Sequence, residues 1–147
     1  MPETKAFIDT HILLYLLSED TNKADRAERI LQAGGTISVQ VLNELTNVTH
    51  RKLAMSWMDI NDLLSLIRSL CSSIEPLTIE THDLGKLIAE SYKLSVYDAM
   101  IVAAALLGGC ETLYSEDMQD GLLIDNHLRI CNPFTIHRSS EDRGHAD

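Results

Sequence analysis

A chain of 147 residues with 45% hydrophobic side chains has the size and apolar content of one folded domain with a real core, which excludes a disordered or fibrous protein. Its 12 Lys+Arg against 22 Asp+Glu give a formal charge of −10, which excludes holding a polyanion by a general basic field. Cys71, Cys110 and Cys131 are too few and too scattered for a disulfide framework or a thiolate zinc site. No apolar run reaches the ~18 residues of a membrane span, and no basic stretch followed by an apolar core marks a secretory signal. The expectation is a soluble, cytoplasmic protein with reduced, buried cysteines.

Taken in chain order, Lys5 to Asp9 (KAFID) reads as a short buried strand, and Ile12 to Leu17 as a first helix. Asn22 is a plausible cap for a helix from about Lys23 to Ala33, closed by Gly34-Gly35. Thr36 to Ser38 suits a second strand. A helix then starts near Val39, with Val41, Leu42, Leu45 and Val48 on one face. Ser56 caps another, in which Trp57, Ile60, Leu63, Leu64, Ile67 and Leu70 recur at helical spacing. Ser73 to Leu77 is extended, and Pro76 favours its end or a sheet edge. Thr81 to Leu94 reads as helix, and Ser95 opens a further one rich in alanine and leucine. Thr112 to Ser115 and Arg129 to Cys131 are the last strands, and Asn132-Pro133 ends the regular structure. Strands alternating with helices indicate a parallel sheet covered on both faces.

In such sheets ligands bind beyond the carboxyl ends of the strands. Asp9 closes the first strand and Asp117 follows the strand ending near Ser115, so both emerge on one rim. Each also has an ordinary explanation, because aspartate is common where a strand gives way to a turn. Ser95-Val96-Tyr97-Asp98 has the S-x-x-D form of a helix start, and the helix behind it is apolar all round. Asp98 therefore sits at the first turn of a core helix, as cap, ligand or both. Glu44 borders the buried stripe of its helix without a Lys or Arg neighbour in sequence, so a nearby cation is expected. An outward-reaching edge glutamate is the alternative. Carboxylates gathered on one rim suit hard divalent cations such as Mg²⁺ or Mn²⁺. The histidines form no H-E-x-x-H pattern, and Walker, G-x-G-x-x-G and G-x-S-x-G motifs are absent. His50-Arg51-Lys52 is the densest basic cluster, either a solvated helix end or a phosphate contact.

Four stretches, F-I-D-T-H-I-L-L-Y (Phe7 to Tyr15), S-V-Q-V-L-N-E-L (Ser38 to Leu45), S-V-Y-D-A-M-I-V-A-A-A (Ser95 to Ala105) and L-Y-S-E-D-M-Q-D-G (Leu113 to Gly121), together extend over most of the chain. In order and content they resemble the PIN-domain ribonucleases, in particular VapC-type toxins of toxin–antitoxin pairs. The resemblance implies that Asp9, Glu44, Asp98 and Asp117 are the catalytic, metal-binding acids, that Ser115 supports Asp117, and that Asp120 is a possible extra ligand. It implies a three-layer α/β/α sandwich around a parallel sheet of about five strands; the domain is expected within residues 1–134, and the polar composition of 135–147 suggests a mobile tail. It further implies Mg²⁺- or Mn²⁺-dependent hydrolysis of RNA, a homodimer, and inhibition by a cognate antitoxin, whose basic residues would suit an acidic site.

One residue departs from the pattern. The family usually has asparagine after Asp-Thr, where this chain has His11, and imidazole cannot reproduce both the carbonyl and the amide of asparagine. The expectation is that His11 reaches the outer shell of the metal and alters activity; a surface histidine without a role is the alternative. Two rival readings stay open: a PIN-like protein-binding module with weak catalysis, and a phosphohydrolase or receiver-type domain, for which no nucleophile motif is visible.

Overall fold

The computed structural model describes residues 5–135; of the expected tail, all but Thr135 lies outside them. The described residues form, in order, β1 (Ala6–Ile8), α1 (Thr10–Leu14), α2 (Thr21–Gln32), β2 (Thr36–Ser38), α3 (Val39–Arg51), α4 (Trp57–Leu70), β3 (Ser73–Glu75), α5 (Ile79–Tyr92), α6 (Val96–Leu107), β4 (Thr112–Tyr114), β5 (Leu123–Ile124) and β6 (Leu128–Cys131), so that a pair of helices follows each of the first three strands. A 3₁₀ turn at Tyr15–Leu17 extends α1. The sheet order is β3-β2-β1-β4-β6-β5. All neighbouring strands are parallel except β5, which pairs antiparallel with β6.

Successive strand residues point to opposite faces. Phe7 and Ile8 are adjacent and both fully buried, so both faces of β1 are covered, as the alternation of strands and helices predicts. α6 supplies much of that cover. Its residues Ala99 to Ala105 are all buried, and the helix runs past β2, β3 and α3. Gly85 of α5 lets that helix approach closely, since a side chain there would run into the Met100 sulfur.

The differences from expectation are local. Asp20, not Asn22, caps α2, accepting from the N–H groups of Asn22 and Lys23 at 3.1 and 3.3 Å. A carboxylate at the positive end of a helix outcompetes a neutral amide two residues further on. α5 starts two residues earlier than expected, because Thr78 and Thr81 form a reciprocal capping box. The sheet holds one strand more than about five, since the two-residue β5 is too short to show a period. Pro76 follows edge strand β3, as expected. The three cysteines are free, and burial pushes the Cys71 thiol up to about 11. Among the described residues no helix is long and apolar enough to cross a membrane.

Because Ile101 of α6 is 1% exposed, Ile101→Ala is expected to cost about 2–5 kcal/mol. Leu66→Ala, at an exposed position of α4, should change stability by no more than about 0.5 kcal/mol. Urea denaturation with unchanged m-values reads both.

Candidate functional site

β1 lies between β2 and β4. The chain leaves β1 towards β2 and β3 on one side and returns to β4 on the other. This reversal opens a crevice at the carboxyl ends of the strands. The ladder continues one residue past β1, with the Asp9 N–H donating to the Tyr114 carbonyl at 3.0 Å. Asp9 is thereby fixed opposite Ser115.

Asp9 is only 3% exposed. One carboxylate oxygen accepts from the Thr10 N–H at 2.7 Å and the other from the Ser115 hydroxyl at 2.8 Å. The same hydroxyl accepts from the Asp117 N–H at 3.3 Å. Fully buried Ser115 therefore supports Asp117, as the resemblance implied, and joins it to Asp9 as well. Glu44 comes from α3, capped by Ser38 at the end of β2, and stands half-buried beside Gln40. Asp98 comes from the first turn of α6, where the Ser95 hydroxyl accepts its N–H at 3.2 Å.

The four carboxylates lie close enough to influence one another. Burial is the main force raising Asp9 above its ordinary range; the hydrogen bonds from Ser115 and Thr10 oppose it, while the charges of Asp117 and Asp98 add to it. Glu44 is raised by burial and then by the charge of Asp9, with Asp98 contributing and His11 opposing. Asp98 is raised by burial and, against the Ser95 hydroxyl, by Asp117. The charge of Asp9 acts on Glu44, that of Asp98 on Asp9 and Glu44, and that of Asp117 on Asp9 and Asp98. Among the described residues no lysine or arginine stands beside Glu44; the imidazole of His11 is its neighbour instead, and His11 Nδ1 also stands 2.6 Å from an Asp117 carboxylate oxygen.

Asp120 has a structural task, accepting from the Asn132 N–H at 2.9 Å. Tyr15 and Glu116 escaped the sequence reading. The Tyr15 hydroxyl donates to Glu116 at 2.6 Å, which pulls its own pKa up, and its ring meets Phe134 edge-on at 4.6 Å. Lys23 sits 4.7 Å over the same ring. This cluster anchors the segment between Ser115 and Asp117, yet in sequence Tyr15 is one more apolar helix residue. Beside it a groove of about 320 Å³ runs from His11 past Leu14 and Val48 to Leu53.

The profile of the PIN domain matches residues 6–119, a span that contains all four acids. The chain belongs to the PIN-domain family. Solved structures share this PIN fold over most of their length. A toxin–antitoxin complex from Klebsiella pneumoniae is 24% identical, covering 90% of this chain and 100% of that one at a TM-score of 0.67. The sarcin–ricin loop cleaving toxin VapC20 of Mycobacterium tuberculosis is 20% identical, covering 77% and 90% at 0.58. VapBC2 from Rickettsia felis, bound to a DNA fragment of its promoter, is 16% identical, covering 86% and 98% at 0.62. No curated protein matches the chain.

The oxygen donors of this PIN domain fit a hard divalent cation in kind. They are not drawn together into a finished cage, since among the described residues no three acid, histidine or cysteine side chains form a ligand group.

A carboxylate raised in the folded chain is protonated more readily there than in the unfolded chain. Acidification from above the raised value down to the ordinary range, about pH 4, therefore stabilises the fold through these groups; above that window the penalty is complete. Asp98→Asn removes one penalty. Thermal denaturation in EDTA is expected to show the variant more stable than the parent at pH 7.5, with the gap narrowing as the pH falls.

Proposed function

We propose that this PIN domain is a metal-dependent endoribonuclease, the cytoplasmic toxin of a toxin–antitoxin pair. In this reading Asp9, Glu44, Asp98 and Asp117 hold Mg²⁺ or Mn²⁺ and carry the hydrolysis of RNA phosphodiester bonds. The observation that supports it most is the Asp9–Ser115–Asp117 chain of hydrogen bonds at the crevice of the sheet, with Glu44 and Asp98 converging on it. So many mutually repelling carboxylates destabilise a fold unless a cation joins them.

A bound divalent cation would supply charge shielding on the scissile phosphate and an activated water. The protein contributes position. Ser115 and the Thr10 N–H hold both oxygens of Asp9, so its carboxylate cannot swing away. The Tyr15–Glu116 contact steadies the loop that presents Asp117. Glu44 and Asp98, both half-buried and held above the ordinary carboxylate range by burial, are the groups placed to assist proton transfer. The groove beside His11 gives a strand room to approach.

An antitoxin and a second copy of the chain belong to the same reading. The Klebsiella pneumoniae structure is a toxin–antitoxin complex, and a basic partner segment would complement a protein of charge −10. The working unit is residues 1–134, with 135–147 as an appended polar tail.

Purified protein incubated with mixed RNA over a titration of Mg²⁺ and Mn²⁺ is expected to produce metal-dependent internal cuts that EDTA stops. Asp98→Asn should lower the rate roughly 10²-fold or more, the scale on which removal of a single site group acts, while circular dichroism stays unchanged. Asparagine keeps the size and loses only the charge. Undiminished cleavage by the folded variant would assign the activity elsewhere, and no cleavage with any metal would favour a protein-binding module.

His11 tests the same reading from the other side. Its imidazole contacts a carboxylate oxygen of Asp117 and would compete with a cation held there, so His11→Asn should lower the metal concentration giving half-maximal cleavage and raise the rate. Superimposable Mg²⁺ and Mn²⁺ titrations for the two proteins would make His11 a bystander.

A further inference from the structure

The basic cluster His50-Arg51-Lys52 takes no part in the carboxylate site. It closes α3, and the chain then turns sharply through Ala54, a non-glycine residue with φ of 51°. L-residues adopt that conformation only where surrounding contacts hold it. Here the Leu53 N–H donates to the Val48 carbonyl at 3.2 Å and the Met55 N–H to the Thr49 carbonyl at 3.0 Å. The turn brings Trp57 back onto His50, with ring centroids 4.4 Å apart and planes inclined by 26°. Trp57 nevertheless remains 54% exposed. A large aromatic stacked on one side and open to water is a platform, not core packing.

Two further observations relate this platform to the acidic site. Glu44, Val48 and Arg51 follow at i, i+4 and i+7, so they share one stripe of α3, which spans about 10 Å along the axis. Val48 and Leu53 line the groove that begins at His11. Among the described residues, no carboxylate lies within ion-pair distance of Arg51 or Lys52. In a chain of charge −10, uncommitted cations beside an open aromatic face are a local exception to the repulsive field.

We propose that Trp57, stacked on His50, together with Arg51 and Lys52, forms a subsite for single-stranded RNA. One base stacks on the indole, the adjoining phosphates meet the two cations, and the strand follows the groove to the carboxylates. A duplex conceals its base faces and is the wrong ligand for a stacking platform. A protein segment would use the apolar groove but has no need of cations and an aromatic face together; a polyanion carrying π-faces uses both. The inference deepens the ribonuclease reading and rests on it for the direction of the strand.

Trp57 is the only tryptophan of the chain, so its fluorescence reports on this site alone. The full-length Asp98→Asn protein in EDTA, titrated with single-stranded oligo(A) or oligo(U), is expected to show saturable quenching. An abasic strand of the same length should bind without quenching. Anisotropy of end-labelled RNA should show Trp57→Ala binding roughly tenfold more weakly, the scale of a lost base stack, with Trp57→Phe restoring most of the affinity. Arg51→Gln with Lys52→Gln should flatten the log–log salt dependence by about 1.4, for two phosphate contacts on a single strand. Equal thermal midpoints exclude misfolding as the cause. RNA that saturates the anisotropy while leaving the emission unchanged would overturn the subsite, as would equal quenching by polyglutamate. Metal-dependent cleavage by the parent protein without quenching would sink the subsite and spare the ribonuclease reading. Quenching without any cleavage would do the reverse.

Discussion

Asp9 is a carboxylate inside a protein, and the arrangement around it follows from that constraint. A charge removed from water must be answered by hydrogen bonds or by an opposite charge. The Thr10 N–H and the Ser115 hydroxyl answer it in part, but burial still raises its pKa. The remainder of the structure can be read as the means of holding this group in place. β4 must lie against β1 to deliver Ser115, the 3₁₀ turn must present Tyr15 to Glu116, and α6 must bury its whole circumference so that Asp98 arrives at the rim. Asp9 follows a strand end, Asp98 stands in the first turn of a helix and Glu44 inside one, elements that hold side chains more precisely than loops do, whereas Asp117 sits in a loop tied down by Ser115.

Much of this was legible in the sequence because the residues concerned obey local rules. Asp9 and Asp117 follow buried strands, and a strand end in a parallel sheet has only one rim to face. Ser95 and Asp98 mark a helix start by their spacing. Seven consecutive buried residues in α6 could belong only to a core helix. What escaped detection depends on contacts distant in sequence. Tyr15 meets Glu116 and Phe134, and no local period reveals a partner about a hundred positions away. The capping of α2 by Asp20 was missed for a different reason, as two candidates two positions apart differ chiefly in charge. Strand β5 has two residues and exists because β6 offers it an edge, which makes it a tertiary feature. The pairing of His11 with Asp117 shows that the most unusual residue of the F-I-D-T-H-I stretch was worth singling out, although its contact turned out to be the carboxylate itself.

The electrostatics of the molecule are organised on two scales. Globally the chain repels polyanions. Locally, mutually raised carboxylates make a pocket of concentrated negative potential, the kind of place that destabilises a fold in exchange for chemistry. His11 offsets some of that cost from inside the site, whereas the end of α3 carries its cations at a distance, where they leave the carboxylates undisturbed. Charge of one sign and charge of the other are thus separated along a single helix, from Glu44 to Lys52.

The sheet order also has a consequence in time. Asp9 and Ser115 are neighbours in space but 106 positions apart in sequence. A ribosome adding about 5–20 residues per second needs roughly 5 to 20 s to travel between them. Throughout that interval the emerging chain already contains Asp9, and later Glu44 and Asp98, but β1 has no β4 beside it and the crevice has only one wall. The acidic cleft can close only when the last central strand has left the exit tunnel. Synthesis itself therefore keeps Asp9 and Ser115 apart until most of the described domain has been made.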